Sequence, residues 1–350
     1  MVTKVLGEWG VPLLIRMLLA IPWGICAVMI AVNVGHMASH VPTFHAPTLN
    51  RLLGWFSFDV CLGLSWKMWL HEHVVGHHQY TNIITIDPNA PEGHGDEALY
   101  RSSPNQRWFT RFTYQYIWLP LISFLLITEY RVASIRYWSK GFRKEIRVNR
   151  EFLGLEAFVT FFLGKFLWFY RVYYIPIAWW GRPIGETILL VLFSETIAGY
   201  FVGTLNAMFI FIYFIFKNKV QLKHRTCITF PANHITDKVD WPTMTKDEKT
   251  QEMKIDAEWA VMQIQTCKDY SPESWVFSHV FGALNNHSCH HLFPAMHHSY
   301  YAQIYPIVKQ TAKEYKVKLP DVAGYLDLVY DYVNNLRVLA DEKGGKHKYI

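Results

Sequence analysis

Three long apolar stretches restrict what this 350-residue chain can fold into. Residues 11–34, about 152–180 and about 186–216 are each long enough to cross a lipid bilayer, for which a helix needs about 20 residues. Gly181 and Pro183 lie between the second and third stretches and predict a short turn, so a helical hairpin is expected there. A cleaved signal peptide is the alternative for residues 11–34. Its apolar region would be too long, however, and histidines follow at once, which favours a retained helix.

Two weaker apolar stretches cover residues 51–70 and 116–130. The basic segment 131–150 follows the second of them, and an excess of Lys and Arg is typical of the cytoplasmic side of a membrane. With only about fifteen apolar residues, the stretch 116–130 is too short to cross easily. We therefore place it on the cytoplasmic surface. The basic segment itself is either an amphipathic helix on anionic headgroups or a solvated loop.

The remaining sequence is more polar and predicts a cap. Hydrophobic residues make up 51% of the chain and charged residues 18%, which excludes a disordered protein. The net charge is +6, and we expect no nucleic-acid partner. Five cysteines without a C-x-x-C pair argue against a disulfide framework. We predict an all-α integral membrane protein with one domain over residues 1–350. Its few transmembrane helices carry a cytoplasmic helical cap formed by about 36–150 and 217–350.

Histidines are abundant, and many of the seventeen are clustered. On a helix, side chains three or four residues apart share a face, so these clusters present converging imidazoles, the usual geometry of metal ligands. With the lone His234 they supply nine candidate ligands, enough for two metal ions. The nine are His36, His40, His73, His77, His78, His234, His287, His290 and His291.

Imidazole binds zinc, copper, iron and nickel, so ligand type alone does not identify the metal. A zinc hydrolase usually has three protein ligands, often on an H-E-x-x-H helix, and that motif is absent from the sequence. Nine histidines beside membrane-spanning stretches instead favour redox chemistry on an apolar substrate.

The spacing of these clusters resembles a known family. H-x-x-x-H at His36, H-x-x-x-H-H at His73 and H-x-x-H-H at His287 are similar to the three histidine boxes of membrane-bound fatty acyl desaturases. The phrases VVGHHQYTN, followed by Asp87-Pro88, and HHLFPAM are most similar to the front-end acyl desaturases. Asn233-His234 matches the N-H step that precedes the third box in that family. The resemblance extends from about residue 30 to 340.

The resemblance implies a di-iron centre in the cytoplasmic cap, with the nine histidines as iron ligands. It also implies that O₂ and two external electrons are used to insert a cis double bond into a long, already unsaturated acyl-CoA or acyl-lipid. Side chains alone cannot abstract hydrogen from an unactivated methylene, so a metal centre must supply that chemistry. Residues that could orient the ligand histidines are Glu72, Asn233 and Asp237.

Three departures from the family pattern stand out. His287 occupies a position where front-end members usually carry glutamine, which leaves the ligand set and the double-bond position open. The chain has no His-Pro-Gly-Gly haem motif, so a separate cytochrome b5 or ferredoxin-like donor is expected to supply electrons. Only one span fits before the first box, where the family usually has two; either the amino terminus is lumenal or the chain is truncated there.

The K-x-K-x-x tail at 346–350 resembles a retrieval signal of the endoplasmic reticulum, so we expect that membrane, with the active site facing the cytosol. Two other functions were considered. A hydroxylase on the same di-iron scaffold differs only in returning oxygen to the substrate. A histidine-rich metal transporter would need polar groups within its spans, whereas these clusters lie at or beyond the span ends.

Overall fold

The computed structural model describes residues 11–40, 43–84, 86–89, 99–140, 142–143, 146–147, 154–203, 231–320 and 324–342. Three predicted features lie wholly or partly outside these residues: the end of the third apolar stretch at 204–216, parts of the basic segment 131–150, and the tail at 346–350.

Helices form most of the described structure, as predicted. In chain order they are α1 (Leu13–Met29, Ile30–Gly35, His36–His40), α2 (Pro47–Trp55, Phe56–Cys61), α3 (Trp66–Trp69, Leu70–His77, His78–Tyr80), α4 (Gln115–Ile122, Ser123–Leu125, Leu126–Lys140), α5 (Leu155–Phe169, Tyr170–Trp179), α6 (Ile184–Gly203), α7 (Trp259–Gln265), α8 (Trp275–Val280), α9 (His287–Leu292), α10 (Tyr301–Glu314) and α11 (Tyr325–Leu339). Single 3₁₀ turns lie at Thr110–Phe112, Pro231–Asn233, Leu284–Asn286 and His298–Tyr300.

Two short antiparallel strand pairs qualify the all-α prediction. Strand β1 (Phe142–Arg143) pairs with β2 (Ile146–Arg147), and β3 (Met244–Lys246) pairs with β4 (Met253–Ile255). The first pair lies within the basic segment 131–150. Among the described residues of that segment, those up to Lys140 are helical, and whether the segment lies on anionic headgroups stays a prediction.

Three helices of the described residues are long and apolar enough to cross a membrane: Leu13–His40, Gln115–Ser139 and Ile184–Phe201. The first and third agree with predicted spans. The helix Gln115–Ser139 is longer than the fifteen apolar residues predicted for it. It continues from the apolar stretch into the basic segment and reaches 25 residues. Helix α5 has the length predicted for a span at 152–180, but it is not among the three, because Lys165 and Arg171 lower its mean hydropathy.

The chain divides into two compact units, described separately below. The first comprises Met1–Met68, Ser123–Gly141 and Val148–Gly203. Within it, α1 packs against α6, and Gly24 of α1 lies directly against the backbone of Ser194. A buried cluster of Val28, Ile127 and Ala198 continues this contact. Small residues at such a crossing let two helix backbones approach closely, as is common between membrane helices.

Two ion pairs join charged side chains inside the first unit. Arg16 of α1 forms an ion pair with Glu186 of α6, and Arg131 of α4 forms one with Glu195 of α6 at 2.7 Å. Arg131 also donates to the carbonyl of Leu62 at 2.8 Å. Because unpaired charges are costly among apolar helices, these contacts account for the presence of four charged groups there.

The second unit comprises Trp69–Ile122, Phe142–Arg147 and Thr204–Ile350. Arg101, which is only 1% exposed, donates to the carbonyls of Gln106 and Leu339 and so ties the end of α11 to the segment before α4. The amide of Gln115 adds a bond to the carbonyl of Leu336. Helix α9 packs against both α7 and α10. This packing places α9, which carries three histidines, inside the unit.

We predict that Gly24→Ala lowers the stability of the first unit. A Cβ at residue 24 would collide with the carbonyl of Ser194, and overpacking of this kind costs about 1–3 kcal/mol. Gly185→Ala is the matched control, since its Cβ would meet no atom within 4 Å and alanine is the better helix former. In detergent-purified protein, the thermal unfolding midpoint should fall for Gly24→Ala and stay level or rise for Gly185→Ala. Equal midpoints would contradict the packing described.

Candidate metal centre

Helix α3 presents three histidines of the second unit from a π-helical segment. The segment Leu70–His77 is π-helical, with backbone hydrogen bonds from i to i+5 instead of i to i+4. His73 and His78 are therefore brought to one face, and their Nε2 atoms lie 3.3 Å apart. The α-helical spacing assumed from the sequence pairs His73 with His77 instead. Trp69 stacks on the ring of His73 at a centroid distance of 4.4 Å.

Helix α9 presents three more histidines, and a buried carboxylate holds its start. Asp269 accepts hydrogen bonds from the backbone N–H of Ser288 at 2.9 Å and from its hydroxyl at 2.6 Å. Such acceptors satisfy N–H groups that the first turn of a helix leaves unpaired. Burial raises the pKa of Asp269 to about 6, even though the Ser288 hydrogen bonds oppose the rise. The short helix is thereby fixed at the end where His287 begins.

His234 follows the 3₁₀ turn Pro231–Asn233, and amide side chains hold this turn in place. Asn233 donates through Nδ2 to the carbonyls of Lys268 at 2.7 Å and Leu284 at 3.1 Å. Asn82, at the end of α3, donates to the carbonyl of His234 at 3.1 Å. The lone histidine of the sequence is thus fixed between the two histidine-bearing helices of this unit.

The seven histidines of α3, α9 and the turn are all buried and converge. In a first group the candidate ligand atoms all lie within 4.8 Å of one another; its members are His77, His234, His287 and His291. The Nε2 of His234 is 3.2 Å from that of His77 and 2.6 Å from that of His287. A second group with the same property comprises His78, His290 and His291. His291 therefore belongs to both groups.

Three of these rings contact fixed acceptors through Nδ1. His77 lies 3.0 Å from both carboxylate oxygens of Asp87, and His234 lies 2.9 Å from the carbonyl of Thr266. His291 lies 2.8 Å from Oε1 of Gln263. A carbonyl can only accept, and a carboxylate does so when ionised, so each Nδ1 carries the proton. Nε2 is then left with its lone pair, the arrangement usual for metal-bound histidine.

Electrostatics favour the ligating form of these rings. Burial, followed by the neighbouring His77, lowers the pKa of His234 to about 3. Burial and the surrounding histidines lower the pKa of His291 well below its usual value. Burial raises the pKa of Asp87, but His77 and the N–H groups of Asn82 and Asn89 outweigh that effect, so the net pKa is lowered. The imidazoles of His234 and His291 are thus neutral and the Asp87 carboxylate is ionised.

The residues fit a pair of transition-metal ions. Nε2 of His291 is buried and has no hydrogen-bond partner among the described residues, a costly situation that a cation would relieve. The Nε2 atoms of His77 and His287 lie 3.2 and 2.6 Å from that of His234, close enough for the three rings to bind one cation. A donor set made entirely of imidazole nitrogen suits iron, zinc, copper or nickel and disfavours magnesium or calcium.

The remaining predicted site residues lie outside the two histidine groups; they are His36, His40, Glu72, Asn233 and Asp237. His36 and His40 lie in the first unit, at the end of α1, where their rings meet edge to face at 4.9 Å. Glu72 is buried on α3, and Asn233 is the backbone clamp described above. Asp237 is half-buried, and its charge acts on Lys268. Metal binding by His36 and His40, and a role for Glu72 or Asp237 in orienting histidines, stay predictions.

Several residues of the site were not identified as such from the sequence. The sequence shows Asp87 only as part of the phrase Asp87-Pro88, although a carboxylate ten residues after His77 is a possible partner for that ring. Gln263, Thr266 and Asp269 carry no recognisable motif. Their roles depend on where α7 and the following loop lie in the fold, which spacing along the chain does not disclose.

Comparison with known proteins identifies the family. A model of the fatty acid desaturase family matches residues 8–322, most of the chain. The chain belongs to the fatty acid desaturase family. This confirms the resemblance inferred from the three histidine boxes, and the match includes residues of both compact units.

Named relatives extend this result. The chain is 29% identical over 329 residues to an acyl-lipid (8-3)-desaturase of Mortierella alpina, covering 93% of this chain and 65% of the relative. It is 26% identical to acyl-lipid (8-3)-desaturase B of Dictyostelium discoideum, covering 92% and 64%. It is 29% identical to an sn-1 linoleoyl-lipid 6-desaturase of Synechocystis, covering 87% and 75%. The chain thus spans somewhat less than two thirds of the first two relatives. No solved structure matches it.

We predict that Asp87→Asn weakens metal binding by about 10- to 100-fold, the usual cost of removing a partner that orients a ligand histidine. The amide is nearly the same size but lacks the charge that holds the His77 Nδ1 proton. Cobalt(II) titration of purified, chelator-treated protein, followed by visible absorption, measures the affinity. Asp247→Asn is the control, because Asp247 pairs with Lys254 in the β3–β4 turn and touches no histidine. Wild-type affinity in Asp87→Asn would refute the proposed coupling.

Proposed function

We propose that this protein is an O₂-dependent fatty acyl desaturase of the front-end type, which inserts a cis double bond into a long, already unsaturated acyl chain. One observation carries the proposal: within a member of the fatty acid desaturase family, six buried histidines converge in two overlapping groups. The acyl-lipid names of the relatives support a lipid-linked substrate, with an acyl-CoA as the alternative.

The overall reaction balances with the components that the proposal names. Two hydrogens leave the acyl chain and O₂ is reduced to two waters, with two further electrons and two protons from outside. Two iron ions, when bound, supply the oxidising power that hydrogen abstraction from an unactivated methylene requires. A separate cytochrome b5 or ferredoxin-like protein would deliver the electrons.

The protein's own residues would hold and insulate such a centre. The proposed ligands are the nine histidines of the sequence prediction: the seven of the second unit together with His36 and His40. The Nδ1 protons of three rings are held by Asp87, the carbonyl of Thr266 and Gln263, so that the Nε2 atoms of these rings face the metal ions. Deep burial of the rings excludes bulk water from the oxidising centre.

The helices that are long and apolar enough to cross a bilayer support a membrane setting. We propose an integral protein of the endoplasmic reticulum, with the histidine-rich cap facing the cytosol. The basic residues around the end of α4 support this orientation. The apolar spans would then place the cap next to the lipid that supplies its acyl substrate.

Expression in a host fed candidate fatty acids tests the proposal. Lipid products analysed by mass spectrometry should show one added double bond with the wild-type chain. His77→Ala and His290→Ala should both abolish that product and lower the iron content, since each removes a proposed ligand. His279→Ala is the matched control: His279 is exposed, stacks on Trp275 and should leave activity intact.

Two results would overturn the proposal. Hydroxylated acyl chains in place of unsaturated ones would identify a hydroxylase on the same scaffold. Folded, iron-loaded protein that changes none of the fatty acids supplied would exclude a desaturase acting on them. Full activity in His77→Ala or His290→Ala would separately refute the ligand assignment.

A further inference from the structure

Gln263 on α7 is a buried amide that links both histidine-bearing helices of the second unit. Its side chain is 0% exposed. Oε1 accepts from Nδ1 of His291 at 2.8 Å, while Nε2 donates to the backbone carbonyl of His78 at 3.2 Å. The amide orientation is determined by these contacts, because only its nitrogen can donate to a carbonyl. One side chain thus fixes α9 through a ring and α3 through its backbone.

A neighbouring hydroxyl reinforces this arrangement. Thr81 Oγ1 lies 2.8 Å from the carbonyl of His77 and 3.1 Å from Oε1 of Gln263. It is also 3.3 Å from Nδ1 of His291. Oε1 of Gln263 is the closest acceptor to that ring nitrogen, so it takes the Nδ1 proton and the hydroxyl is left to bond the backbone.

The position of His291 makes this contact important. His291 belongs to both groups of converging histidines, and its ring stacks on His78 at 4.3 Å. A neutral imidazole has one lone-pair nitrogen, so a ring whose Nδ1 is protonated can bind a single metal ion, through Nε2. If Nδ1 lost its acceptor, the ring could flip or change tautomer and turn the wrong nitrogen towards the ions.

We propose that Gln263 is a positioning residue that holds His291 so that only Nε2 faces the metal ions. This rests on the proposed di-metal function and deepens it. Gln263 is neutral, unlike Asp87 at His77, so it directs the ring without adding negative charge to the second group.

Three variants of the full-length protein test the proposal. Gln263→Met keeps the bulk but removes the acceptor; Gln263→Glu restores an acceptor at the same reach; Gln115→Met removes a buried amide of the same unit that bonds Arg101 and Leu336 and no histidine. Each is purified in detergent, stripped of iron with a chelator and titrated with cobalt(II). The number of ions bound, the affinity and the visible spectrum are recorded, and thermal unfolding is followed separately.

Wild-type protein should bind two cobalt ions. Gln263→Met should bind one of them about 10- to 100-fold more weakly, with an altered spectrum, and Gln263→Glu should regain most of the lost affinity. Gln115→Met should unfold at a lower temperature yet bind both ions as the wild type does. If Gln263→Met does not fold, Gln263→Asn replaces it, since its amide is one methylene too short to reach His291.

Wild-type stoichiometry, affinity and spectrum in Gln263→Met would overturn the proposal. So would an equal loss in Gln115→Met, or no recovery in Gln263→Glu, because both would indicate a general packing effect. Failure of the proposed function has a different signature: the wild-type protein itself would bind fewer than two ions, or would bind two and form no unsaturated product.

Discussion

The structure depends on how seven buried imidazole rings are oriented inside one unit. Burying that many polar rings is unfavourable unless each nitrogen has a partner. For three of the rings the protein supplies a partner from the outside, because Asp87, the carbonyl of Thr266 and Gln263 accept the Nδ1 protons. The inner nitrogens are left for metal ions. The surrounding architecture, from the Asp269 contact that starts α9 to the Asn233 clamp below His234, serves to position these supports.

Much of this could be predicted from residues alone. Long apolar stretches indicated two of the three helices able to cross a membrane, and the histidine spacing identified the family. Six predicted histidines of the second unit converge in two groups, including His234, which the sequence singles out only by a two-residue resemblance. These features are local: a repeat of apolar residues or a short histidine spacing is visible without knowing which segments meet.

What could not be predicted depends on helix type and on distant contacts. The apolar stretch 116–130 alone is too short to cross a bilayer, and hydropathy does not reveal that its helix continues into the basic segment. The π-helical form of Leu70–His77 has no sequence signature that the spacing argument used. Gln263 and Thr266 contact histidines more than 25 residues away along the chain, and only the packing of α7 reveals them.

The geometry of the site depends on the number of residues in the π-helical segment of α3. An α-helix turns by about 100° per residue, so an ordinary α-helix over the same residues would point His73 and His78 to different sides. Removing one residue from this segment would therefore reorient His77 and His78 relative to His73 while keeping every histidine in the sequence. The spacing within a histidine box thus encodes a helix geometry as well as a set of ligands, and a box with the right residues but another spacing would describe a different site.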